Sequence, residues 1–321
     1  MGLSVGIQMD PIEKIDIKVD STFMLAMEAQ KRGHQLFYYL PSDLAYLNGE
    51  LYAWIRPLSV QWDEINYFSV GEIEKTNLSK MDIVLMRQDP PFDMAYITAT
   101  HLLEHIHPQT LVVNNPAQVR NSPEKLLVTH FDGILPSTLI TSNRQSINAF
   151  REEHKDIIIK PLYGNGGADV FHIGPNDENM SALIEMFAEK YREPIITQKY
   201  LPEVRQGDKR IILVDGIPAG GVSRIPASGD ARANFHAGGI AKKTSLTPRE
   251  REICEIIGPT LKERGLIFVG IDVIGDYLTE INVTSPTGIQ EINALDDIQI
   301  EKLIWDAIED HHSNQRNKKS K

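Results

Sequence analysis

Residues 268–283 read FVGIDVIGDYLTEINV and decide the fold, because two apolar runs of strand length flank a short polar segment. Side chains alternate between the two faces of a β-strand, so this pattern predicts a β-hairpin with one apolar face and one face that carries acidic and amide groups. We predict a three-residue loop, 275–277, between the two strands. The predicted apolar face consists of Val269, Ile271, Val273, Thr279, Ile281 and Val283.

The length of this loop determines which polar side chains meet. With three residues in the loop, Asp272 lies opposite Glu280 and Gly270 lies opposite Asn282, whereas a two-residue loop would turn Asp272 to the other face. Acidic residues are depleted from strands, although an ordinary solvated sheet face remains the alternative. Oxygen ligands suit Mg²⁺, which takes one or two carboxylates together with nucleotide phosphates. We therefore predict a metal site formed by Asp272, Glu280 and Asn282.

The length and composition of the chain limit its class. It has 321 residues, one cysteine (Cys254) and a formal net charge of −11. This length predicts two or three globular domains, and the negative charge argues against nucleic acid as the main partner. A single cysteine precludes an internal disulfide and is more typical of a buried packing residue than of a nucleophile. Because no apolar run of about 20 residues and no signal sequence is present, we expect a cytoplasmic protein without membrane contact.

The first 120 residues have the pattern of an open parallel sheet with intervening helices. No G-x-G-x-x-G motif follows the first predicted strand, so we expect this domain to shape a substrate site rather than to bind a dinucleotide. Arg87 and Asp89 follow the predicted strand 82–86 at its carboxyl end, where ligands bind in such sheets. Both are candidates for substrate contacts, with a rigid surface turn as the alternative for Asp89.

The second segment, residues 121–201, contains a glycine-rich loop between two predicted strands. The strand 157–161 carries Lys160 near its end, and residues 164–168 read GNGGA. Glycines expose backbone amides that can bind phosphate, although a glycine-rich turn alone is weak evidence. The lysine strengthens this interpretation, because a charge that faces inward needs a partner. We predict a phosphate-binding flap formed by Lys160, Gly164, Asn165, Gly166 and Gly167.

The third segment, residues 202–310, follows a predicted strand at 194–201. The end of this strand is predicted to be a hinge between two lobes. Residues 226–240 are rich in glycine and alanine, which predicts a mobile cover over a ligand site; a disordered connector is the alternative. The predicted contacts of this cover with an anionic ligand are Arg224, Arg232 and Asn234.

Helix signals complete the C-terminal part. Residues 247–250 form a capping box, so a helix is predicted to run from Thr247 to Arg264. A last helix is predicted at 298–309, and the polar, basic residues 311–321 are predicted to be a disordered tail. The predicted domains are an N-terminal Rossmann-like substrate domain at 1–120, a lid subdomain at 121–201 and a catalytic subdomain at 202–310.

Several motifs, taken in order, resemble the bacterial glutathione synthetases of the ATP-grasp superfamily. They are MDP at 9–11, MRQDPPFD at 86–93, NSPEKL at 121–126, GDKR at 207–210, GPTLK at 258–262 and EINVTSPTG at 280–288. The resemblance covers nearly the whole chain. The sequence departs from the family pattern at Gln88, Asn165, Ala233 and Gly288.

This resemblance implies a fold and a reaction. The fold would be α/β, with α+β character in the lid: an N-terminal open parallel sheet domain followed by an ATP-grasp fold with a mobile lid. The reaction would join γ-L-glutamyl-L-cysteine to glycine through an acyl phosphate, with ATP converted to ADP and phosphate. Two Mg²⁺ ions, replaceable by Mn²⁺, would assist, and the protein would assemble as a homotetramer.

The resemblance also implies individual roles. Lys125 would bind nucleotide phosphates together with Lys160, Asp208 would bind the ribose, and Arg210 would stabilise the transferring phosphoryl group. The adenine pocket would consist of Gln198, Lys199, Tyr200 and Leu201. The peptide carboxylates would be held by Arg224, Arg232, Asn234, Ser285, Pro286 and Thr287.

Two other functions stay open from the sequence. A neighbouring ligase, of the D-alanine–D-alanine or glutamate-adding type, would share the metal site and the phosphate lysines but would lack the Arg-x-Asp-Pro-Pro loop. A non-catalytic ATP-binding regulator of the synapsin type would keep the nucleotide site and tolerate the loss of Arg210 or of a metal ligand, all of which this chain retains.

Overall fold

The structure, a computed structural model, describes residues 2–227, 232–235 and 238–319. These residues form three β-sheets and eight α-helices. Within the described residues, none of the helices combines the length and the apolar composition that a membrane span requires.

The N-terminal sheet has eight strands, and the order β3-β4-β2-β1-β7-β8 runs across it, with β5 and β6 also paired to β4. The strands are β1 (Ser4–Gln8), β2 (Gln35–Tyr39), β3 (Leu44–Leu47), β4 (Glu50–Val60), β5 (Phe68–Val70), β6 (Glu74–Asn77), β7 (Ile83–Met86) and β8 (Leu111–Val113). The helices of this part are α1 (Ser21–Lys31), α2 (Met94–Glu104) and α3 (Pro116–Arg120).

This sheet is mixed, which corrects the prediction of a parallel sheet. Strands β1, β2, β7 and β8 do pair in parallel. Strands β3 to β6, which the sequence analysis did not identify, pair through β4 in antiparallel ladders. The long strand β4 alternates buried and exposed residues over much of its length, the pattern of a strand with one covered face.

The second sheet has four antiparallel strands in the order β11-β10-β12-β9. Its elements are β9 (Thr138–Thr141), α4 (Arg144–His154), β10 (Ile157–Pro161), β11 (Phe171–Ile173), α5 (Met180–Lys190) and β12 (Ile195–Lys199). It has its own small core, in which Ile159 and Phe187 are almost fully buried. We call residues 138–199 the lid.

The third sheet has five antiparallel strands in the order β15-β14-β13-β16-β17. Its strands and the C-terminal helices are β13 (Asp208–Val214), β14 (Ile217–Ile225), β15 (Ile240–Lys243), α6 (Pro248–Glu263), β16 (Phe268–Ile274), β17 (Tyr277–Asn282), α7 (Ile289–Asp296) and α8 (Ile300–Lys319). The capping box at Thr247 and Glu250 starts α6 as predicted. Residues 228–231 and 236–237 of the predicted cover lie outside the described residues.

The third sheet and the N-terminal sheet share their hydrophobic cores. Val84 and Met86 of β7 belong to the same buried cluster as Ile257 of α6 and Ile271 of β16. Cys254 also lies in this cluster, where burial raises the pKa of its thiol to about 12, as expected of a packing residue. A continuous core of this kind holds the two sheets in a fixed relation and leaves the lid as the part with separate packing.

The C-terminal helix α8 corrects the predicted tail. It continues through residues 311–319, which were expected to be disordered. The Nε2 atom of His311 lies 2.9 Å from Oδ1 of Asp215, and His312 is buried near Asp82. These contacts with both flanking sheets stabilise a segment whose polar composition alone favours disorder.

Candidate active site

A cavity of about 360 Å³ lies between the lid and the third sheet. Every predicted site residue except Arg87 lines it. Its wall includes the polar face of β16 and β17, the end of β12, the glycine-rich loop and the described part of the predicted cover. Such a volume is that of a small-molecule site.

The hairpin places its polar residues as predicted, but through a different turn. Ile274 pairs with Tyr277, so the turn has two residues rather than three. A β-bulge then shifts the register between Asp272 and Val273, and Asp272 lies opposite Glu280 after all. A bulge sets two residues of one strand against one of the other, which offsets the shorter turn.

The bulge changes the role of one predicted core residue. Leu278, rather than Thr279, belongs to the hydrophobic core, and Thr279 lines the cavity. The Thr279 hydroxyl donates a hydrogen bond to the backbone carbonyl of Asp272, at 3.0 Å. This bond spans the bulge and helps to keep the strand bent.

Neighbouring segments hold the hairpin in place. Asn114, just beyond β8, donates from Nδ2 to the carbonyls of Phe268 and Val283 at 2.8 and 2.9 Å and accepts from the Phe268 amide at 2.9 Å. The amide of Ile281 donates to the carbonyl of Glu124 at 3.0 Å. The hairpin is therefore fixed at its open end and along its outer strand.

Asp272 lies at the centre of a buried ion-pair network. Arg210, its cross-strand neighbour on β13, contacts both carboxylate oxygens, at 2.6 and 3.0 Å. Arg224 lies 3.0 Å from one of these oxygens and 2.6 Å from the carboxylate of Asp208. Burial opposes the charge of Asp272, but the two guanidinium groups outweigh it and hold the pKa of that carboxyl well below its usual range. Burial raises the pKa of Asp208 to about 6.

Glu280 is paired with lysines from two other segments. Its Oε1 atom lies 3.5 Å from Lys125 Nζ and 3.3 Å from Lys160 Nζ. Burial opposes ionisation here as well, but the two lysines lower the pKa of Glu280. Lys125 also donates to the carbonyl of Gly164 at 2.6 Å and contacts the carboxylate of Glu124. Lys125 therefore connects the polar face of the hairpin with the glycine-rich loop.

The glycine-rich loop meets the described part of the predicted cover. Gly166 and Gly167 have φ values of 63° and 74°, a backbone region that other residues rarely adopt. A Cβ atom on Gly167 would lie 2.8 Å from Oδ1 of Asn234 and 3.2 Å from Cδ of Arg232. Two loops that are distant in sequence therefore contact each other at the cavity.

The proposed adenine residues lie at the end of β12. The buried Gln198 donates to the Thr138 hydroxyl at 3.0 Å, and Tyr200 stacks on His172 with ring centroids 4.0 Å apart. Lys199 and Leu201 line the same end of the cavity. Apolar side chains, including those of Ile158 and Ile274, also line the cavity, and such side chains can pack against a flat ring.

Arg87, which was predicted to contact substrate, does not line the cavity. It is buried, donates to the Thr22 hydroxyl and to the Pro286 carbonyl at 3.1 Å each, and lies over the ring of Phe268. Ser285 in turn donates to the Arg87 carbonyl at 3.2 Å. Arg87 thus supports the loop 285–287, whose three residues do line the cavity, as does Asp89.

Sequence reasoning missed two carboxylates. Glu124 lines the cavity beside Lys125, and the motif that contains both was noted without a role for the glutamate. Glu291 in the first turn of α7 has a buried carboxylate oxygen without a hydrogen-bond partner among the described residues, and burial raises its pKa. No local sequence pattern indicates that α7 lies beside Arg210.

The predicted metal ligands are compatible with Mg²⁺. The described residues contain no group of three or more His, Cys, Asp or Glu side chains arranged to bind a metal ion. The predicted set has two carboxylates and an amide: Asp272 and Glu280 are cross-strand neighbours, and Asn282 Nδ2 lies 3.4 Å from Asp272 Oδ2. Because Mg²⁺ is commonly bound by one or two carboxylates plus substrate phosphates, this small set is sufficient.

Solved structures define the class of the fold. The chain superposes on D-cycloserine synthetase DcsG with a TM-score of 0.67 at 12% identity, over 96% of this chain and 99% of that one. It superposes on the ATP-grasp ligase PsnB with a TM-score of 0.64 at 15% identity, over 97% and 99%. The protein therefore has the ATP-grasp fold, as the sequence motifs predicted.

Sequence comparisons define the family. The model of the prokaryotic glutathione synthetase N-terminal domain matches residues 3–120, and that of the prokaryotic glutathione synthetase ATP-grasp domain matches residues 124–297. Glutathione synthetase of Mesorhizobium japonicum is 56% identical over 309 residues, covering 96% of this chain and 99% of the relative. That of Escherichia coli strain K12 is 46% identical, covering 96% and 98%. The chain belongs to the prokaryotic glutathione synthetase family.

Proposed function

We propose that this protein joins γ-L-glutamyl-L-cysteine to glycine and converts ATP to ADP and phosphate. The observation that carries the proposal is the match of both family domains, in order, over nearly the whole chain. The relatives at 46 to 57% identity are named glutathione synthetase and are covered almost completely. A cavity lined by cationic side chains, a glycine-rich loop and an apolar end supports a nucleotide as one substrate.

The first step would be phosphoryl transfer. An oxygen of the cysteine carboxylate of the dipeptide would form a bond to the γ-phosphorus while the bond to the β-phosphate oxygen breaks, which releases ADP. Lys125 and Lys160 would neutralise phosphate charge, and Arg210 would stabilise the transferring group. The amides of residues 164–167 would approach the phosphates and exclude water, which would otherwise hydrolyse the acyl phosphate.

The second step would form the peptide bond. The amine of glycine attacks the acyl carbon, phosphate leaves with the bonding electron pair, and the amine proton is lost. The loop 285–287, supported by Arg87, together with Asp89, Arg224, Arg232 and Asn234, would orient the peptide substrates. Arg224 is also paired with the carboxylates of Asp208 and Asp272.

The metal requirement follows from the same polar face. Asp272, Glu280 and Asn282 would hold two Mg²⁺ ions, replaceable by Mn²⁺, and the metal would supply positive charge that offsets the negative charge of the phosphates in phosphoryl transfer. Gln198 to Leu201 would enclose the adenine and Asp208 would bind the ribose. We further propose a cytoplasmic homotetramer, as the family resemblance implies.

The test is ADP release with a panel of substrates. We expect magnesium-dependent ADP release when γ-glutamylcysteine and glycine are both present, with glutathione as the product by mass spectrometry. D-Alanine alone, glutamate as acceptor, and each substrate alone should give no release. Turnover with D-alanine or glutamate would identify one of the neighbouring ligases instead, and nucleotide binding without any turnover would indicate a regulator.

A further inference from the structure

Four of the carboxylates and four of the cationic side chains that line the cavity are paired with one another, and we call these eight residues the charge cluster. They form two chains of ion pairs. In one, Glu124 contacts Lys125, and Glu280 contacts both Lys125 and Lys160. In the other, Asp272 contacts Arg210 and Arg224, and Arg224 also contacts Asp208. With four positive and four negative groups, the formal charge of the cluster is zero.

This pairing involves the atoms that a metal ion would need. Arg210 contacts both oxygens of Asp272, and Arg224 shares one of them. One oxygen of Glu280 is shared by two lysines. A divalent ion that entered alone would have to displace these side chains and would leave an excess positive charge among buried groups, which is unfavourable.

Nucleotide phosphates remove this obstacle, because they offer the cations another partner. Phosphate oxygens beside the glycine-rich loop would attract Lys125 and Lys160 away from Glu280, and a terminal phosphate would attract Arg210 away from Asp272. We propose that the cations of the charge cluster pair with the carboxylates of Asp272 and Glu280 and so prevent a divalent metal ion from binding there until a nucleotide is bound. The proposal rests on the nucleotide site of the proposed function and adds to it an order of binding.

Arg224 offers the sharpest test of this order. Its side chain is almost completely buried and bridges the carboxylates of Asp208 and Asp272. It belongs to β14 and is separate from the lysines that face the glycine-rich loop. Replacing it with methionine keeps much of the volume and leaves Asp272 with one guanidinium partner, Arg210, instead of two. Metal affinity should therefore increase, although a cationic residue is removed from an anion-binding cavity.

The experiment measures Mn²⁺ binding directly, by loss of the electron paramagnetic resonance signal of the free ion. For the wild-type protein we expect weak binding without nucleotide, and with a non-hydrolysable ATP analogue we expect binding at least about tenfold tighter than the analogue alone provides. Arg224→Met should bind Mn²⁺ without nucleotide at least about tenfold more tightly than the wild type. Adding Asp272→Asn to that variant should abolish the gain.

Lys209→Met is the matched control. Lys209 is adjacent to Arg210 on β13, but it pairs with Glu250 of α6 at 2.7 Å and does not line the cavity. Its loss should leave Mn²⁺ binding as in the wild type, and circular dichroism verifies that each variant is folded. Mn²⁺ binding by the wild type and analogue together that is no tighter than binding by the analogue alone would overturn the proposal, and so would a folded Arg224→Met protein without the gain. Neither result depends on which amino acid or peptide is ligated.

Discussion

The hairpin formed by β16 and β17 and the glycine-rich loop at 164–168 form opposite walls of one cavity, but they are held in different ways. Strand β16 of the hairpin is paired to β13 along its length, and its residues 268–273 are buried. The loop has an internal hydrogen bond from the Ala168 amide to the Asn165 carbonyl, and a link from Gly164 to Lys125. The described contacts therefore hold the hairpin along a whole strand, and they hold the loop at a few atoms.

The difference shows how one site combines rigidity with access. Metal ligands have to be held in a defined geometry, which a buried ladder with cross-strand ion pairs provides. A phosphate cradle has to admit a nucleotide and then exclude water, which requires backbone that can move at low cost. Substitutions on the polar face of the hairpin should therefore lower turnover, and substitutions on its apolar face should lower the free energy of unfolding. Substitutions in the loop should lower kcat/KM for ATP.

The largest effect is expected on the polar face of the hairpin. Glu280→Gln keeps the shape of the side chain but removes a charge that is paired with Lys125 and Lys160. Turnover should fall by about 10²- to 10³-fold, as when one preorganised electrostatic group is lost. Initial rates of ADP release at several Mg²⁺ concentrations measure this. Glu252→Gln, the same change at an exposed position of α6, is the control and should leave the rate unaltered.

On the apolar face the same strand should respond in stability. Ile281 is fully buried beside Glu280, and Ile281→Ala should lower the free energy of unfolding by about 3 kcal/mol because it leaves a cavity. Urea denaturation followed by circular dichroism measures the change. Ile217→Ala, at a position that is 65% exposed, should stay within about 0.5 kcal/mol of the wild type. Equal losses in the two variants would contradict the assignment of faces.

The glycine-rich loop should respond in nucleotide use. In Gly167→Val the new side chain would press against Asn234 and Arg232, and kcat/KM for ATP should fall by about tenfold or more, the cost of one or two hydrogen bonds to a charged group. Gly133→Val is matched to it, since Gly133 also has a positive φ, 77°, but a Cβ atom added there would meet no atom of another segment within 4 Å. An equal loss of kcat/KM in both variants would mean that backbone strain, and not the cavity, causes the effect.

The smallest effect is expected at the bulge. Thr279→Val removes the hydroxyl that donates to the Asp272 carbonyl, which should cost about 1 kcal/mol of unfolding free energy. Thr279→Ser keeps the hydroxyl and should retain more of the stability. Thermal unfolding of the two variants side by side makes the comparison, and a valine variant as stable as the serine variant would argue against a role for this bond.

Several features could be predicted because they depend on local chemistry. Thr247 caps its helix as predicted, and strand β10 has the predicted bounds. The turn of the hairpin was wrong by one residue, since a two-residue turn with a bulge and a three-residue loop produce the same pairing of Asp272 with Glu280. The role of each site residue stays a prediction until the variants are measured.

The sequence by itself determined which residues can share a strand face, which loops expose their amides, and which family the chain resembles, because alternation and backbone freedom are properties of the covalent chain. Only the tertiary structure decided which charges meet. Lys160 and Glu280, 120 residues apart, are brought together by the lid, and Arg87 donates a hydrogen bond to the Pro286 carbonyl. Such pairings depend on how separate sheets pack, and packing is a property of the whole fold rather than of any one segment.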